Sequence, residues 1–154
     1  MLLSGRLVRL IQDHADSISR TLAEKVRSHP DLPVLAKRPQ EELARWCSDH
    51  VGNLSSSLLA GREELTQRYR AFGSARFEES VPLHEAVLRL FLLKDGIIEF
   101  VHVQGLPMTA LDLYTQEELE HRISRFFDIA VYNIVCGYEH AMREASTHHS
   151  ATRH

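Results

Sequence analysis

Apolar residues recur every three or four positions along almost the whole of this 154-residue chain, and this spacing limits the fold more than any other feature. A period of about 3.6 residues places such residues on one face of an α-helix, whereas a β-strand would need them at every second position. The first stripe steps through Leu3, Leu7, Leu10, Ile11, His14, Ile18, Leu22 and Val26. No stretch shows the alternation expected of a strand. The sequence therefore predicts an all-α fold, a bundle of about five to six helices.

Turns that contain proline or glycine divide the first half of the chain into three predicted helices. The first helix is expected to end in the stretch "SHPDLP", because proline cannot continue an α-helix. The second begins near "RPQEELARWC", where a proline and two acidic residues suit a helix N-terminus, and it stops near Gly61. A third helix covers roughly Glu63 to Phe77.

The fourth predicted helix lies within "SVPLHEAVLRLFLLKDGIIEFVHVQG". Ser80 is expected to cap its N-terminus, and Pro82 is expected to occupy its first turn. The helix runs to about Gln104 and is closed by Gly105 and Pro107, which favour helix termination.

The last predicted helix spans Gln116 to Ala145, after a capping box formed by Thr115 and Glu118. Its apolar residues form two adjoining stripes, a band wider than one neighbouring helix requires, so this helix is expected to contact the core and a second surface. The polar stretch "STHHSATRH" follows and is expected to be disordered. The predicted organisation is a single domain over residues 1–145 and a disordered polar tail over residues 146–154.

Charge, hydropathy and cysteine spacing exclude several classes of function. The formal net charge is -3 and no face gathers Lys and Arg, so nucleic acid is not an expected partner. No apolar run approaches the roughly 20 residues of a membrane-spanning helix, and the charged opening segment lacks the apolar middle of a signal peptide. Cys47 and Cys136 have no CxxC spacing, which predicts reduced thiols and a cytoplasmic location.

Ten histidines prompt a search for metal sites and catalytic groups. The chain has no HExxH motif, no His/Cys cluster at zinc spacing and no nucleophile or phosphate-loop motif. Cys47 precedes His50 by three positions, so a thiol–imidazole pair could touch on one helix face, but both are expected to face the core, where a thiol is inert. His14 and His50 are predicted core-edge residues. The sequence thus predicts no metal, no cofactor and no enzymatic activity, with a thiol-dependent enzyme or redox switch at Cys47 or Cys136 left as an alternative.

Two stretches, "FGSARFEESVPLHEAVLRLFLLKDGIIEFV" and "FFDIAVYNIVCGYEHAMREA", resemble the N-terminal sensory domain of the RsbR/RsbT co-antagonist family. The family pattern has an aromatic-Gly-x-x-Arg element, then Pro-Leu-x-Glu at the start of a long helix, and a closing helix with an aromatic-Asp pair and a Gly-Tyr-Glu. The matching residues are Phe72, Gly73, Arg76, Pro82, Leu83, Glu85, Phe127, Asp128, Gly137, Tyr138 and Glu139. The resemblance extends from about Leu3 to Ala145, with Lys94 where relatives often have arginine.

The resemblance implies a globin-like helical bundle without haem that forms a homodimer. It also implies an input domain that relays a stress or ligand signal, by rearrangement of its helices, to a C-terminal output module such as a STAS domain or a histidine kinase. The residues expected at the dimer interface are Ile123, Phe127, Val131, Ile134 and Tyr138, with Leu7 and Ile11 from the first helix. Burial of the same residues in the core of one chain is the competing expectation. An apolar bundle interior identifies no particular small-molecule ligand.

A haem-binding gas sensor is the alternative function, because a globin-like fold can hold haem through an axial histidine. His102 and His84 on the fourth helix are the candidate ligands. The charges of Asp95 and Glu99 on the same helix disfavour an apolar slot beside His102.

Overall fold

Seven α-helices and one 3₁₀ turn make up most of the chain that the structure describes. The computed structural model describes residues 2–104 and 109–151, with side chains from 5 to 104 and from 109 to 150. Within these ranges there is no β-strand, which confirms the predicted all-α fold, although the helices number seven rather than five to six. They are α1 (Leu2–Asp13), α2 (Ala15–Ser28), α3 (Gln40–Gly52), α4 (Leu54–Leu59), α5 (Arg62–Glu78), α6 (Leu83–Gln104) and α7 (Ala110–Ala151), with the 3₁₀ turn at Leu35–Lys37.

Each of the first two predicted helices is divided by a local break. At His14, between α1 and α2, the backbone leaves the helical region (φ -104°, ψ 20°), while its N–H still bonds to the carbonyl oxygens of Leu10 and Ile11. At Asn53, between α3 and α4, the side-chain amide donates to the Asp49 carbonyl oxygen at 2.8 Å. Because the three- and four-residue spacing of buried and partly buried positions continues across both breaks, the sequence pattern does not reveal them.

The start of α6 differs from the prediction. The helix begins at Leu83, and Ser80 does not cap it but adopts a positive φ of 60° in the turn between α5 and α6. The Pro82 carbonyl oxygen accepts the first hydrogen bonds of α6. The left-handed backbone of Ser80 thus turns the chain, and Pro82 restricts the backbone just before the helix begins. The predicted closing residues Gly105 and Pro107 lie outside the described residues.

The N-terminus of α7 lies earlier than predicted. Thr115 is inside the helix and its hydroxyl donates to the Leu111 carbonyl oxygen at 2.9 Å, so the predicted capping box of Thr115 and Glu118 is wrong. Thr109 takes that role, because its hydroxyl accepts a bond from the backbone N–H of Asp112 at 3.0 Å.

The C-terminal part of α7 continues past the predicted domain end. Residues 146–151 are helical rather than disordered, and the Thr147 hydroxyl donates to the Arg143 carbonyl oxygen at 3.0 Å. No glycine or proline interrupts this stretch, so intrinsic propensity permits the helix to continue. Residues 152–154 lie outside the described residues.

Two helix pairs, α5 with α7 and α2 with α3, form most of the core, and α6 contacts both pairs. Glu85 on α6 is fully buried, and its carboxylate accepts bonds from the backbone N–H groups of Val34 at 2.8 Å and Leu35 at 3.3 Å. This carboxylate therefore ties the 3₁₀ turn to α6. Within residues 2–104 and 109–151, no helix combines the length and the apolar character needed to cross a membrane.

Candidate functional site

The two histidines predicted as haem ligands lie at the surface. His84 is exposed, and the side chain of His102 is 61% exposed, with its Nε2 atom 3.1 Å from Glu120 Oε1 on α7. An axial ligand must project into an apolar slot that encloses the porphyrin. The exposed rings of His84 and His102 have no such surroundings, so the geometry does not favour the haem-binding alternative.

Most residues predicted for the dimer interface belong to the core of the single chain. The buried ones are Leu7, Ile11, Ile123, Phe127 and Ile134. They are unavailable to a second protomer, so this part of the prediction is wrong. Contacts within one chain explain the wide apolar band of α7, because α7 packs against α5 and also against α6 and α1. Val131 and Tyr138 are partly exposed, and the Tyr138 hydroxyl donates to the Val81 carbonyl oxygen at 2.8 Å.

Cys47 does not have the surroundings of a nucleophile. The residue is fully buried, and this burial raises the pKa of its thiol to about 11, against smaller opposing effects of a hydrogen bond with Ser19 and the charge of Arg89. Because the thiolate is the reactive form, an enclosed and protonated thiol is inert at neutral pH. His50 packs against the Trp46 ring, with 4.4 Å between ring centroids. The proposed thiol–imidazole pair gains no support from this geometry.

A cleft lined by arginine and aromatic side chains lies between α3, α5 and α6. It comprises two cavities, of about 530 Å³ and about 210 Å³, which share Trp46, Asp49 and Arg76 in their linings. We call it the arginine–aromatic cleft and define it by Trp46, His50, Tyr69 and Phe72 together with Arg38, Arg68, Arg76 and Arg89. Its size lies in the range of small-molecule sites in proteins.

Four rings form one wall of the arginine–aromatic cleft. Trp46 and His50 are four residues apart on α3, and Tyr69 and Phe72 are three apart on α5, so each pair projects from one helix face. The ring centroids of His50 and Phe72 are 5.8 Å apart and those of Tyr69 and Phe72 are 5.2 Å apart, both edge-on. The wall is therefore continuous from α3 to α5.

Arg89 is a buried cation without an anionic partner. It is 6% exposed, and its guanidinium carbon lies 3.9 Å from the centroid of the Trp46 ring. Its Nε atom is enclosed and has no acceptor, and no carboxylate pairs with Arg89 in the described part of the chain. A desolvated cation–π contact contributes about 2 kcal/mol, whereas burying an ion costs several kcal/mol. The chain itself thus compensates this charge only in part.

The pKa of Arg89 reflects the same imbalance. Burial is the largest cause, and the charges of Arg76 and Arg38 add to it, so that the pKa of Arg89 falls to about 9 although Glu79 and Glu42 act in the opposite direction. The guanidinium remains charged at neutral pH.

Two of the three carboxylates that line the arginine–aromatic cleft, those of Glu42 and Glu79, are engaged by other arginines, whereas Asp49 is exposed. Arg38 contacts Glu42 at 2.7 Å and Glu79 at 3.8 Å, and Arg76 contacts Glu79 at 3.0 Å. The Nε atom of Arg76 is also enclosed without an acceptor. Two guanidinium groups of the smaller cavity, those of Arg76 and Arg89, therefore have unused donors.

His50 experiences this positive environment directly. Its burial, reinforced by the charges of Arg89, Arg76 and Arg68, lowers the pKa of His50 to about 3. The imidazole is neutral at physiological pH, so it contributes a flat surface and one donor rather than a charge.

Helix α5 connects the arginine–aromatic cleft with α7. A Cβ atom at Gly73 would lie 2.1 Å from the Ile134 carbonyl oxygen, and one at Gly137 would lie 2.0 Å from the Arg70 carbonyl oxygen. The two helices therefore touch backbone to backbone, an approach that needs glycine at both positions. Because Phe72 and Gly73 are neighbours on α5, the cleft and the α7 contact lie on adjoining faces of one helix.

A third cavity, of about 360 Å³, lies between α2 and α6, where Lys25 and Glu99 form an ion pair at 3.9 Å. In the described residues, the enclosed side-chain nitrogen atoms without a hydrogen-bond partner belong to Arg76 and Arg89, neither of which lines this cavity. The same residues contain no group of three or more His, Cys, Asp or Glu that could hold a metal ion. The arginine–aromatic cleft is therefore the stronger candidate site.

Sequence reasoning did not identify this cleft. The family-like pattern included Phe72 and Arg76, but Arg89 and Trp46 were not singled out. A usable signal was present in α6, where Arg89 lies four residues after buried Glu85 and four before buried Leu93, on the apolar face of the helix. A charged residue at such a position indicates a buried ion, and a buried ion needs a partner.

No protein-family model, no curated protein and no solved structure matches this chain. The function is therefore argued from the arginine–aromatic cleft and from the helices around it, and the resemblance to the RsbR/RsbT co-antagonist family supplies a proposal to be tested.

Proposed function

We propose that this chain is a haem-free input domain of a signalling protein, of the type at the N-terminus of RsbR/RsbT co-antagonists and of some sensor histidine kinases. The observation that best supports this proposal is the position of α5, which lines the arginine–aromatic cleft with Tyr69 and Phe72 and meets the backbone of α7 at Gly73. A change in the packing of the cleft can thus be transmitted to α7 through α5. The proposed activity is a rearrangement of helices, without a catalytic step.

The proposed mechanism is a shift between two packing arrangements. A cue that binds one arrangement more tightly than the other increases its population. No side chain lies between α5 and α7 at Gly73 and Gly137 to absorb a displacement, so α7 is expected to move with α5. In this proposal α7 transmits the movement to a STAS or histidine kinase output module.

We further propose that the domain acts as a homodimer in the cytoplasm. Because the core residues predicted from the sequence are covered within one chain, we place its apolar contacts on exposed side chains of α6 and α7. Phe91, Tyr132 and Met142 are such residues, with 39%, 65% and 47% of their surfaces exposed. The unpaired Cys47 and Cys136 are consistent with a reducing compartment.

Sedimentation equilibrium tests the dimer. At tens of micromolar, an interface of standard size should keep the chain dimeric. Tyr132→Glu should shift the equilibrium towards monomer, because it places a charge in an apolar contact. Glu118→Lys, which changes another exposed residue of α7, is the control and should leave the dimer intact. A monomeric wild-type chain at these concentrations would rule out the homodimer.

Spin-label distance measurements test the relay. A label at Ser146→Cys in a Cys136→Ser background reports the separation of the two α7 helices, since buried Cys47 does not react. Arg89→Met, which removes the buried charge from the cleft, should alter this distance distribution. The matched control is Arg20→Met, because Arg20 is exposed on α2 and does not line the cleft. Identical distributions in the wild type and Arg89→Met would contradict the relay.

A further inference from the structure

We infer that the arginine–aromatic cleft binds a small organic anion in which a carboxylate or phosphate is attached to a flat aromatic or unsaturated group. The role of this anion as the signal rests on the proposed function, whereas its binding can be measured independently of any signalling. The charge, the ring wall and the size of the cleft each support the inference.

Two guanidinium groups with unused donors give the arginine–aromatic cleft its positive charge. Arg89 is only 6% exposed and lines the smaller cavity. Its Nε atom is enclosed and has no hydrogen-bond acceptor. Arg76 lines both cavities and also has an enclosed Nε atom without an acceptor. Guanidinium groups bind carboxylates and phosphates through paired, charge-assisted hydrogen bonds. An anionic group between Arg76 and Arg89 would offset the positive charge of both guanidinium groups.

The acidic residues near the cleft do not already fill this role. Glu79 is shared between Arg38 and Arg76, and Glu42 lies 2.7 Å from Arg38. Glu85, one helical turn before Arg89, is buried, but its carboxylate oxygens accept bonds from the backbone of the 3₁₀ turn. A purely structural arginine would be expected to pair with one of these carboxylates.

The ring wall indicates the shape of the ligand. Trp46, His50, Tyr69 and Phe72 line the larger cavity, and the partly exposed rings of Trp46, His50 and Phe72 present surfaces for stacking. His50 is neutral at physiological pH, so it does not compete with the ligand for the arginines. Arg89 already lies over the Trp46 ring, which leaves this ring less able to attract a cationic ligand.

The dimensions of the cleft indicate a small molecule. Cavities of about 530 Å³ and about 210 Å³ enclose a ligand with one or two rings. The formal net charge of -3 and the pairing of Arg38 with Glu42 and Glu79 leave no extended positive surface for a nucleic acid.

Tryptophan fluorescence measures this binding directly, because Trp46 is the only tryptophan of the chain. The probes are benzoate and phenyl phosphate, with acetate, inorganic phosphate, benzyl alcohol and benzylamine as controls. At least one aromatic anion should change the fluorescence saturably with a Kd of about 1 mM or below. The four controls should each bind roughly tenfold more weakly, because each lacks either the ring or the negative charge. The preference between benzoate and phenyl phosphate distinguishes a carboxylate ligand from a phosphate ligand.

Variants separate ligand binding from a structural role of Arg89. Arg89→Met should weaken binding of the preferred probe by roughly tenfold or more and leave the fold intact, because replacing an unpaired buried ion by an apolar side chain does not remove a satisfied partner. Arg76→Gln, in a partly exposed position, should also weaken binding and provides the test if Arg89→Met does not fold. Arg20→Met should bind the probe as the wild type does.

Absence of saturable binding by both aromatic anions up to about 10 mM would overturn the inference. Equal binding of benzyl alcohol, or unchanged affinity in both Arg89→Met and Arg76→Gln, would do the same. None of these outcomes would change the interpretation of the dimer and relay experiments. Conversely, anion binding by a chain that is monomeric would sustain this inference and rule out the proposed homodimer.

Discussion

Replacing Gly73 with alanine should destabilise the chain, because the new methyl group would meet backbone atoms that cannot rotate away. Its Cβ atom would lie 2.1 Å from the Ile134 carbonyl oxygen and 2.8 Å from the Tyr138 nitrogen, whereas ordinary contacts begin at 3.4 Å. Helices α5 and α7 would have to separate by about 1 Å, and forced overpacking of this kind typically costs about 1–3 kcal/mol. The better helix propensity of alanine returns at most about 1 kcal/mol. Because the 2.1 Å contact is with backbone, the cost should lie near the upper end of that range, and we expect a net loss of about 2 kcal/mol.

The matching change at Gly137 gives a second, linked measurement. Its Cβ atom would lie 2.0 Å from the Arg70 carbonyl oxygen, so a similar loss is expected. Because one separation of α5 from α7 relieves both clashes, the double variant Gly73→Ala/Gly137→Ala should lose less stability than the sum of the single losses.

Urea denaturation followed by circular dichroism measures all three variants. Gly96→Ala is the control, because Gly96 lies inside α6 with no atom within 4 Å of an added Cβ, so alanine there should be neutral or stabilising by up to about 1 kcal/mol. A Gly73→Ala stability within about 0.5 kcal/mol of the wild type, or an equally destabilising Gly96→Ala, would refute the predicted backbone clash.

Three further predictions concern buried polar groups. The pKa of His50 is about 3 in the folded chain and lies below the ordinary 6.5, so the unfolded chain takes up the proton first as the pH falls. The free energy of unfolding should therefore fall by about 2 kcal/mol from pH 7 to pH 5. Denaturation of His50→Phe should show a flatter pH dependence. Glu85→Gln should cost about 2–3 kcal/mol in urea denaturation, because an amide NH₂ would face a backbone N–H that now donates to a carboxylate. Under native conditions a thiol reagent should label partly exposed Cys136 and should reach buried Cys47 only after unfolding, and rapid native labelling of both would contradict the burial of Cys47.

Helix periodicity predicted the fold class and several boundaries correctly. The third predicted helix, Glu63 to Phe77, differs from α5 by one residue at each end, and the fourth is helical as far as Gln104, the last residue described before 109. The breaks at His14 and Asn53 were missed because neither residue disturbs the spacing of the buried positions. Such breaks depend on how successive helices pack, which a local pattern does not contain.

The same limitation explains the errors at the site. Periodicity indicates that Ile123 and Phe127 are covered, but it does not distinguish cover by the same chain from cover by a second protomer. The arginine–aromatic cleft could not be predicted, because it combines residues more than forty positions apart, such as Trp46 and Arg89. Only the tertiary arrangement brings this tryptophan and this arginine within 3.9 Å.

The far end of α7 has a consequence for the thermal behaviour of the domain. Every residue from Met142 to Ser150 is exposed, so about 13 Å of helix is stabilised mainly by its own backbone and by local hydroxyl bonds such as that of Ser150. A segment of this length has a free energy of helix formation near zero in water. The circular dichroism signal of this segment should therefore decline gradually on warming, well before the cooperative melting of the core. If another surface docks against the segment, its helix should instead be lost together with the core in the main transition.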